Sequence, residues 1–131
     1  MIGVDTNVLI RHILQDDPLQ SPKATELIED RLTERNPGFL STVVLVETAW
    51  VLERVYDRSP HEIAFVIERL LQIKSLVVER RREVFNAMLA LQEGRGSFAD
   101  ALIGELAIAA GCFRTLTFDR KAARLPGFQL L

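Results

Sequence analysis

The chain has 131 residues, 48% of them hydrophobic and 26% charged, with a formal net charge of −2. That length holds one domain with one sizeable core, and no stretch has the polar, low-complexity composition of a disordered segment. The near-neutral charge balance weighs against a protein that coats duplex nucleic acid, and the apolar runs are broken by charge before they could span a bilayer.

Met1–Val4 reads as a short buried strand, followed directly by a helix over Asn7–Leu14. Asp16-Asp17-Pro18 breaks the chain. Ser21-Pro22 then supplies a capping hydroxyl and a first-turn proline for a helix running to about Glu34. Asn36-Pro37-Gly38 is a turn signal, Phe39–Ser41 a second strand, and Thr42–Tyr56 a helix so apolar on all sides that it is expected to be largely buried. Ser59-Pro60-His61-Glu62 has the form of a capping box and launches a helix to about Ile73. Leu76–Glu79 is a third strand, Arg82–Gln92 a helix, and Phe98–Ala110 another, closed by Gly111. Thr115–Phe118 is a fourth strand, and Leu125-Pro126-Gly127 turns the chain into a short edge strand over Phe128–Leu131. Strands alternating with helices imply a parallel sheet covered on both faces, so residues 1–131 are expected to form one α/β domain.

Cys112 is the only cysteine. It can form no intrachain disulfide, and Met1–Asp5 lacks the pattern of a secretory signal, so a cytoplasmic setting is expected. Arg80-Arg81-Arg82 and Arg114, Arg120, Lys121 and Arg124 form two local basic clusters, which are ordinarily solvated faces.

Four acids stand where this topology would gather them. Asp5 and Asp119 directly follow strands, Glu47 lies early in the helix after the second strand, and Asp100 lies in the first turn of a helix entered from Gly94-Arg-Gly96. Open parallel sheets bind ligands at the carboxyl ends of their strands, near a topological switch point. Carboxylates set in such apolar sequence are expensive unless something compensates them, and a shared divalent cation does so. Each acid has a plainer reading. Asp5 can cap the following helix, Asp100 can complete a capping box with Ser97, and Asp119 can hold the turn into Arg120-Lys121-Ala122-Ala123. Their joint placement favours a metal site for hydrolysis. All-oxygen ligands suit Mg²⁺, with Mn²⁺ as the alternative, rather than zinc, because Cys112, His12 and His61 have no ligand spacing. No GxGxxG or GxxxxGK[ST] motif occurs.

The blocks Asp5-Thr6-Asn7-Val8-Leu9, Ser41–Glu47, Phe98–Ile103 and Leu116–Lys121 together resemble PIN-domain ribonucleases, and among them VapC-type toxins of bacterial toxin–antitoxin pairs. The resemblance runs from Asp5 to Phe128. It implies a PIN-like three-layer sandwich with a small, mainly parallel central sheet. It further implies that Asp5, Glu47, Asp100 and Asp119 bind Mg²⁺, with Thr6 or Asn7 and Thr117 as polar support. The implied activity is endonucleolytic cleavage of structured RNA, by a homodimer inhibited by a VapB-like antitoxin. Some relatives carry a further acid after the fourth, where this chain has Arg120 and Lys121. The rival readings are a haloacid-dehalogenase-like phosphatase, whose second aspartate is replaced here by Asn7, and a non-catalytic Mg²⁺-binding regulatory module, which has no need of Glu47. Self-association is expected through the Thr42–Tyr56 and Pro60–Ile73 helices, which carry more apolar residues than one small sheet can cover.

Overall fold

The computed structural model describes all residues 1–131. Five strands and six α-helices alternate along the chain. They are β1 (Ile2–Gly3), α1 (Thr6–Leu14), α2 (Gln20–Thr25), β2 (Gly38–Leu40), α3 (Thr42–Arg54), α4 (Pro60–Gln72), β3 (Leu76–Val78), α5 (Arg81–Gln92), α6 (Phe98–Ala109), β4 (Thr115–Thr117) and β5 (Phe128–Leu130). A π-helical turn, Glu26–Arg31, extends α2, and a 3-10 turn, Ala122–Arg124, lies between the last two strands.

The α/β class expected from the sequence is the one observed, with a difference in the sheet. β1, β2 and β3 form a parallel sheet in sequence order, while β4 and β5 pair with each other, also in parallel, as a separate ribbon. The last strand is therefore not an edge of the main sheet, and the main sheet contains no reversal of strand order. What remains of the expected ligand site is its carboxyl edge. No helix is long and apolar enough to cross a membrane.

Helix starts follow their capping residues. Asp5 accepts from the Thr6 N–H at 2.7 Å, Ser41 from Val44 at 3.1 Å and Ser97 from Asp100 at 3.1 Å. Ser59 and Glu62 form the full capping box over Pro60. Gly111, at φ +97°, ends α6 with the paired bonds of a Schellman turn, Gly111 N–H to Ile108 O and Cys112 N–H to Ala107 O. One cap differs from expectation. α2 begins at Gln20, and Asp17 rather than Ser21 accepts from the N–H groups that open it, at 2.9 Å from Leu19 and 2.7 Å from Gln20. The Ser21 hydroxyl is drawn off into a tertiary bond, donating to the Arg11 carbonyl at 2.8 Å.

The core is one cluster of 25 buried residues drawn from the main sheet and every α-helix except α2. α3 touches α1, α4 and α6, and α5 packs between α4 and α6. α6 also meets β5 closely: a Cβ on Gly104 would stand 2.5 Å from the Phe128 ring, so only glycine lets that strand seat there. α3 is not buried all round. Leu45, Thr48, Ala49 and Leu52 face inward, whereas Val43 and Trp50 are 72% and 56% exposed. Of the apolar residues on the two helices expected to drive self-association, Leu52, Ile63, Ile67, Leu70 and Leu71 are spent in the core, whereas Val43, Trp50, Val55 and Phe65 remain exposed.

Thr48 is 1% exposed, yet its Oγ1 has no hydrogen-bond partner. An unsatisfied buried hydroxyl costs about 1–3 kcal/mol, and replacing it by a methyl of the same shape removes that penalty. Thr48→Val is therefore expected to raise the urea midpoint, by about 1 kcal/mol of stability. A lowered midpoint would show that the hydroxyl is bonded after all.

Candidate active site

Each strand of the main sheet ends in a side-chain oxygen that organises the helix beside it. Asp5 follows β1 and caps α1, and Ser41 follows β2 and caps α3. Glu79 follows β3, and its Oε1 accepts from both the Thr42 N–H at 2.9 Å and the Thr42 hydroxyl at 3.0 Å. These bonds, the backbone N–H first, hold the Glu79 carboxyl below the ordinary glutamate range. A depressed carboxylate stabilises the fold above its unfolded pKa, and that contribution is lost as the pH falls through the folded value. Glu79 thus pins the first residue of α3 to the sheet edge. The sequence reading counted it as the last residue of the third strand; with the strand ending at Val78 it is an acid directly after a strand, the signal that marked Asp5.

The pinned α3 carries Glu47 to α1. A cavity of about 300 Å³ opens between the two helices, lined by Asp5, Thr6, Asn7, Ile10, Arg11, Glu47, Val51, Val55 and Tyr56. Asp5 and Glu47, 42 positions apart in sequence, thus share one wall-to-wall space, with both of the polar residues that follow Asp5. Neither carboxylate belongs to an ion pair, and Glu47 accepts no hydrogen bond. Thr6 is 6% exposed and its Oγ1 has no partner.

Asp100 does not line this cavity, but its neighbours on α6 meet Glu47 elsewhere. A second depression, of about 450 Å³ between α3 and α6, is lined by Glu47, Trp50, Ala99 and Ile103 among others, and Ala99 and Ile103 flank Asp100 on the first turns of α6. Asp100 is half-buried. Only its N–H is engaged, by Ser97, so the capping box expected as its plainer role is half made and the carboxylate stays free. Asp119, like Asp100, lines neither space. Its Oδ1 accepts from the N–H groups of Lys121 at 2.8 Å and Ala122 at 3.4 Å, and the Thr117 hydroxyl accepts from the Asp119 N–H at 3.0 Å. Asp119 and Thr117 therefore hold the turn after β4.

The buried, compensated acids expected from the sequence are instead accessible ones: Asp5, Glu47 and Asp119 are exposed. Apolar neighbours in sequence face the core on one side of each helix and leave the acid on the other. No three carboxylate, imidazole or thiol side chains stand close enough to enclose one ion. The donors nevertheless suit a hard divalent cation. Two carboxylates without cationic partners and an orphaned buried hydroxyl border one small space, all of them oxygen ligands of the kind Mg²⁺ or Mn²⁺ takes. His12, His61 and Cys112 are not among them.

Arg11 and Tyr56, which the sequence reading did not single out, complete the cavity. The Arg11 guanidinium donates to Gln20 Oε1 at 3.0 Å, Asp16 Oδ1 at 3.2 Å and the Tyr56 hydroxyl at 3.4 Å. Arg11 is thereby fixed at the cavity wall, its charge paired with Asp16. A one-turn helix register places it four residues after Asn7, a spacing visible in the sequence once the helix start at Thr6 is known.

The family model described as PIN domain matches residues 2–127 of this chain. No curated protein matches it. The match spans nearly the whole sequence, and the chain belongs to the PIN domain family, as its motif blocks suggested. PIN domains are generally nucleases that use divalent metal ions, so the chain is placed among hydrolases acting on nucleic acid.

Proposed function

We propose that this protein is a Mg²⁺-dependent endoribonuclease that hydrolyses phosphodiester bonds in structured RNA, and that it serves as the toxin of a toxin–antitoxin pair. The observation that carries the nuclease reading is the shared cavity of Asp5 and Glu47, with the unpartnered Thr6 hydroxyl in its wall. Asp5 and Glu47 would hold the metal, with Thr6 and Asn7 as polar support, and Asp100 is a third acid of the set that lies outside their shared cavity. Asp119 is the fourth acid of the set, through the oxygen its turn leaves free, and Thr117 steadies it.

A bound divalent ion supplies Lewis acidity toward a phosphoryl oxygen and a lowered pKa for water. The protein residues do the rest. Asp5 is held by its cap at the start of α1 and Glu47 by the Glu79–Thr42 anchor of α3, so both carboxylates would be presented to an ion from fixed positions. Arg11, fixed at the cavity wall, offers a charge to a non-reacting phosphate oxygen and orients the strand for in-line attack. Single-stranded loops suit this open cavity, because unstacked nucleotides can enter it.

Incubation of the protein with labelled structured RNA tests the reading. Cleavage at internal bonds is expected with Mg²⁺, and none in chelator. Intact RNA under both conditions would refute it. For the toxin role, expression of the chain alone is expected to arrest bacterial growth, and co-expression of a VapB-like antitoxin to relieve it. Harmless expression of active nuclease would remove the toxin role and spare the nuclease. A homodimer completes the proposal, using the face where Val43 and Trp50 of α3 and Ile103 of α6 lie exposed. A patch of this kind commonly marks an interface, and a two-fold dimer is its simplest closed use.

A further inference from the structure

A second groove opens beside the carboxylate cavity. It lies between α1 and the α2–π-turn helix, has a volume of about 330 Å³, and has Asn7, Arg11, Gln20, Lys23, Leu27 and Arg31 in its lining. Three of those residues are cationic and none is acidic, in a chain whose net charge is −2. Asn7 and Arg11 border both spaces, so the basic groove runs directly out of the carboxylate cavity.

Lys23 and Arg31 take part in no ion pair and no side-chain hydrogen bond, and both are exposed. The acids of the same helix, Glu26, Glu29 and Asp30, do not line the groove. The π-turn accounts for this sorting. In a regular α-helix, residues eight apart diverge by about 80° around the axis, because every fourth residue overshoots a full turn by about 40°. From Leu27 to Leu32 the helix instead closes an i to i+5 bond, with the Leu32 N–H donating to the Leu27 carbonyl at 2.9 Å. The wider turn advances less per residue, so Arg31 comes back over Leu27 and in line with Lys23.

We propose that this groove binds the phosphodiester backbone of the RNA strand as it leaves the carboxylate cavity. Lys23 and Arg31 each neutralise one phosphate, and Gln20 with Arg11 bridges from the cavity to them. The assignment rests on the nuclease reading above and adds to it the path of the substrate. Backbone contacts position a strand without reading its sequence, so the groove accepts RNA of any sequence and a DNA strand equally.

The test measures binding of a labelled single-stranded RNA of mixed sequence, in chelator, as a function of salt. Each phosphate contact on a single strand contributes about 0.7 to the slope of log K against log salt. The Lys23→Gln/Arg31→Gln protein is expected to lose about 1.4 of that slope, and on the order of twenty-fold in affinity at about 0.1 M salt. Lys23→Arg/Arg31→Lys should keep both, and Lys74→Gln, outside the groove, should change neither. The DNA strand should show the same losses, with the thermal midpoint of every variant unchanged. Cleavage by the wild-type protein in Mg²⁺ separates the two readings. A wild-type protein that neither cuts nor binds RNA overturns both. Full cutting with an unaltered slope in the double variant overturns the groove alone, as does an equal loss in Lys74→Gln. An unaltered RNA slope with lost binding of an acidic protein partner would give the groove to that partner and overturn the assignment.

Discussion

Asp5→Asn, Glu47→Gln and Asp100→Asn are each expected to lower RNA cleavage on the order of a hundred-fold or more, the scale on which a single preorganised electrostatic group acts at a reacting centre. The substitutions are chosen to leave the fold alone. Asparagine caps a helix as well as aspartate does, so Asp5→Asn keeps its bond to the Thr6 N–H, whereas alanine would forfeit about 1 kcal/mol of cap. The Glu47 and Asp100 carboxylates accept no hydrogen bond from the protein, and their amides take nothing from it. Thermal midpoints should therefore match wild type while initial rates at saturating Mg²⁺ collapse. Asp119→Asn is the informative contrast. Its oxygen holds a turn that an amide oxygen can still hold, so a smaller loss is expected there. A variant cleaving at the wild-type rate would strike that residue from the site.

Much of this arrangement was legible in the residues. Local signals read well where the partner is local: Ser97, the Ser59–Glu62 box and the glycine after α6 all do what their positions announce, although Ser41, read as the end of the second strand, caps α3. They failed where the partner is distant. Ser21 looks like a cap, but its hydroxyl is claimed by the Arg11 carbonyl across the helix pair, and Asp17 caps instead. The fourth strand was found, but not the sheet it joins, since pairing depends on contacts far along the chain. An apolar helix reads as buried whether its outer face meets the core or a partner, which is why the exposure of Glu47 was missed, while Trp50 was read as part of an uncovered apolar surplus and is exposed. The pairing of Asp5 with Glu47 was foreseeable because both follow strands of one parallel sheet. The separation of Asp119 was not, because β4 sits on its own ribbon.

The structure also separates what holds the site in place from what acts in it, and Leu45 is where the separation can be measured. Leu45 is two residues from Glu47 on the opposite face of α3 and is 1% exposed, inside the single core cluster. Truncating a leucine so placed removes its transfer free energy and leaves a cavity, for a loss of about 2–5 kcal/mol. Small domains hold only about 5–15 kcal/mol in all, so Leu45→Ala should forfeit a large share of it. In urea, the midpoint is expected to fall with the slope unchanged, the sign of lost stability rather than of an altered denatured state. The surviving folded molecules should still cleave in Mg²⁺, because Ser41 and Glu79 hold the start of α3 independently of that side chain. A loss below about 1 kcal/mol is what a surface substitution costs, and it would mean that α3 does not pack on its Leu45 face. Normal stability change with abolished cleavage would mean instead that packing beneath Glu47, and not the polar anchors at the sheet edge, sets where its carboxylate stands.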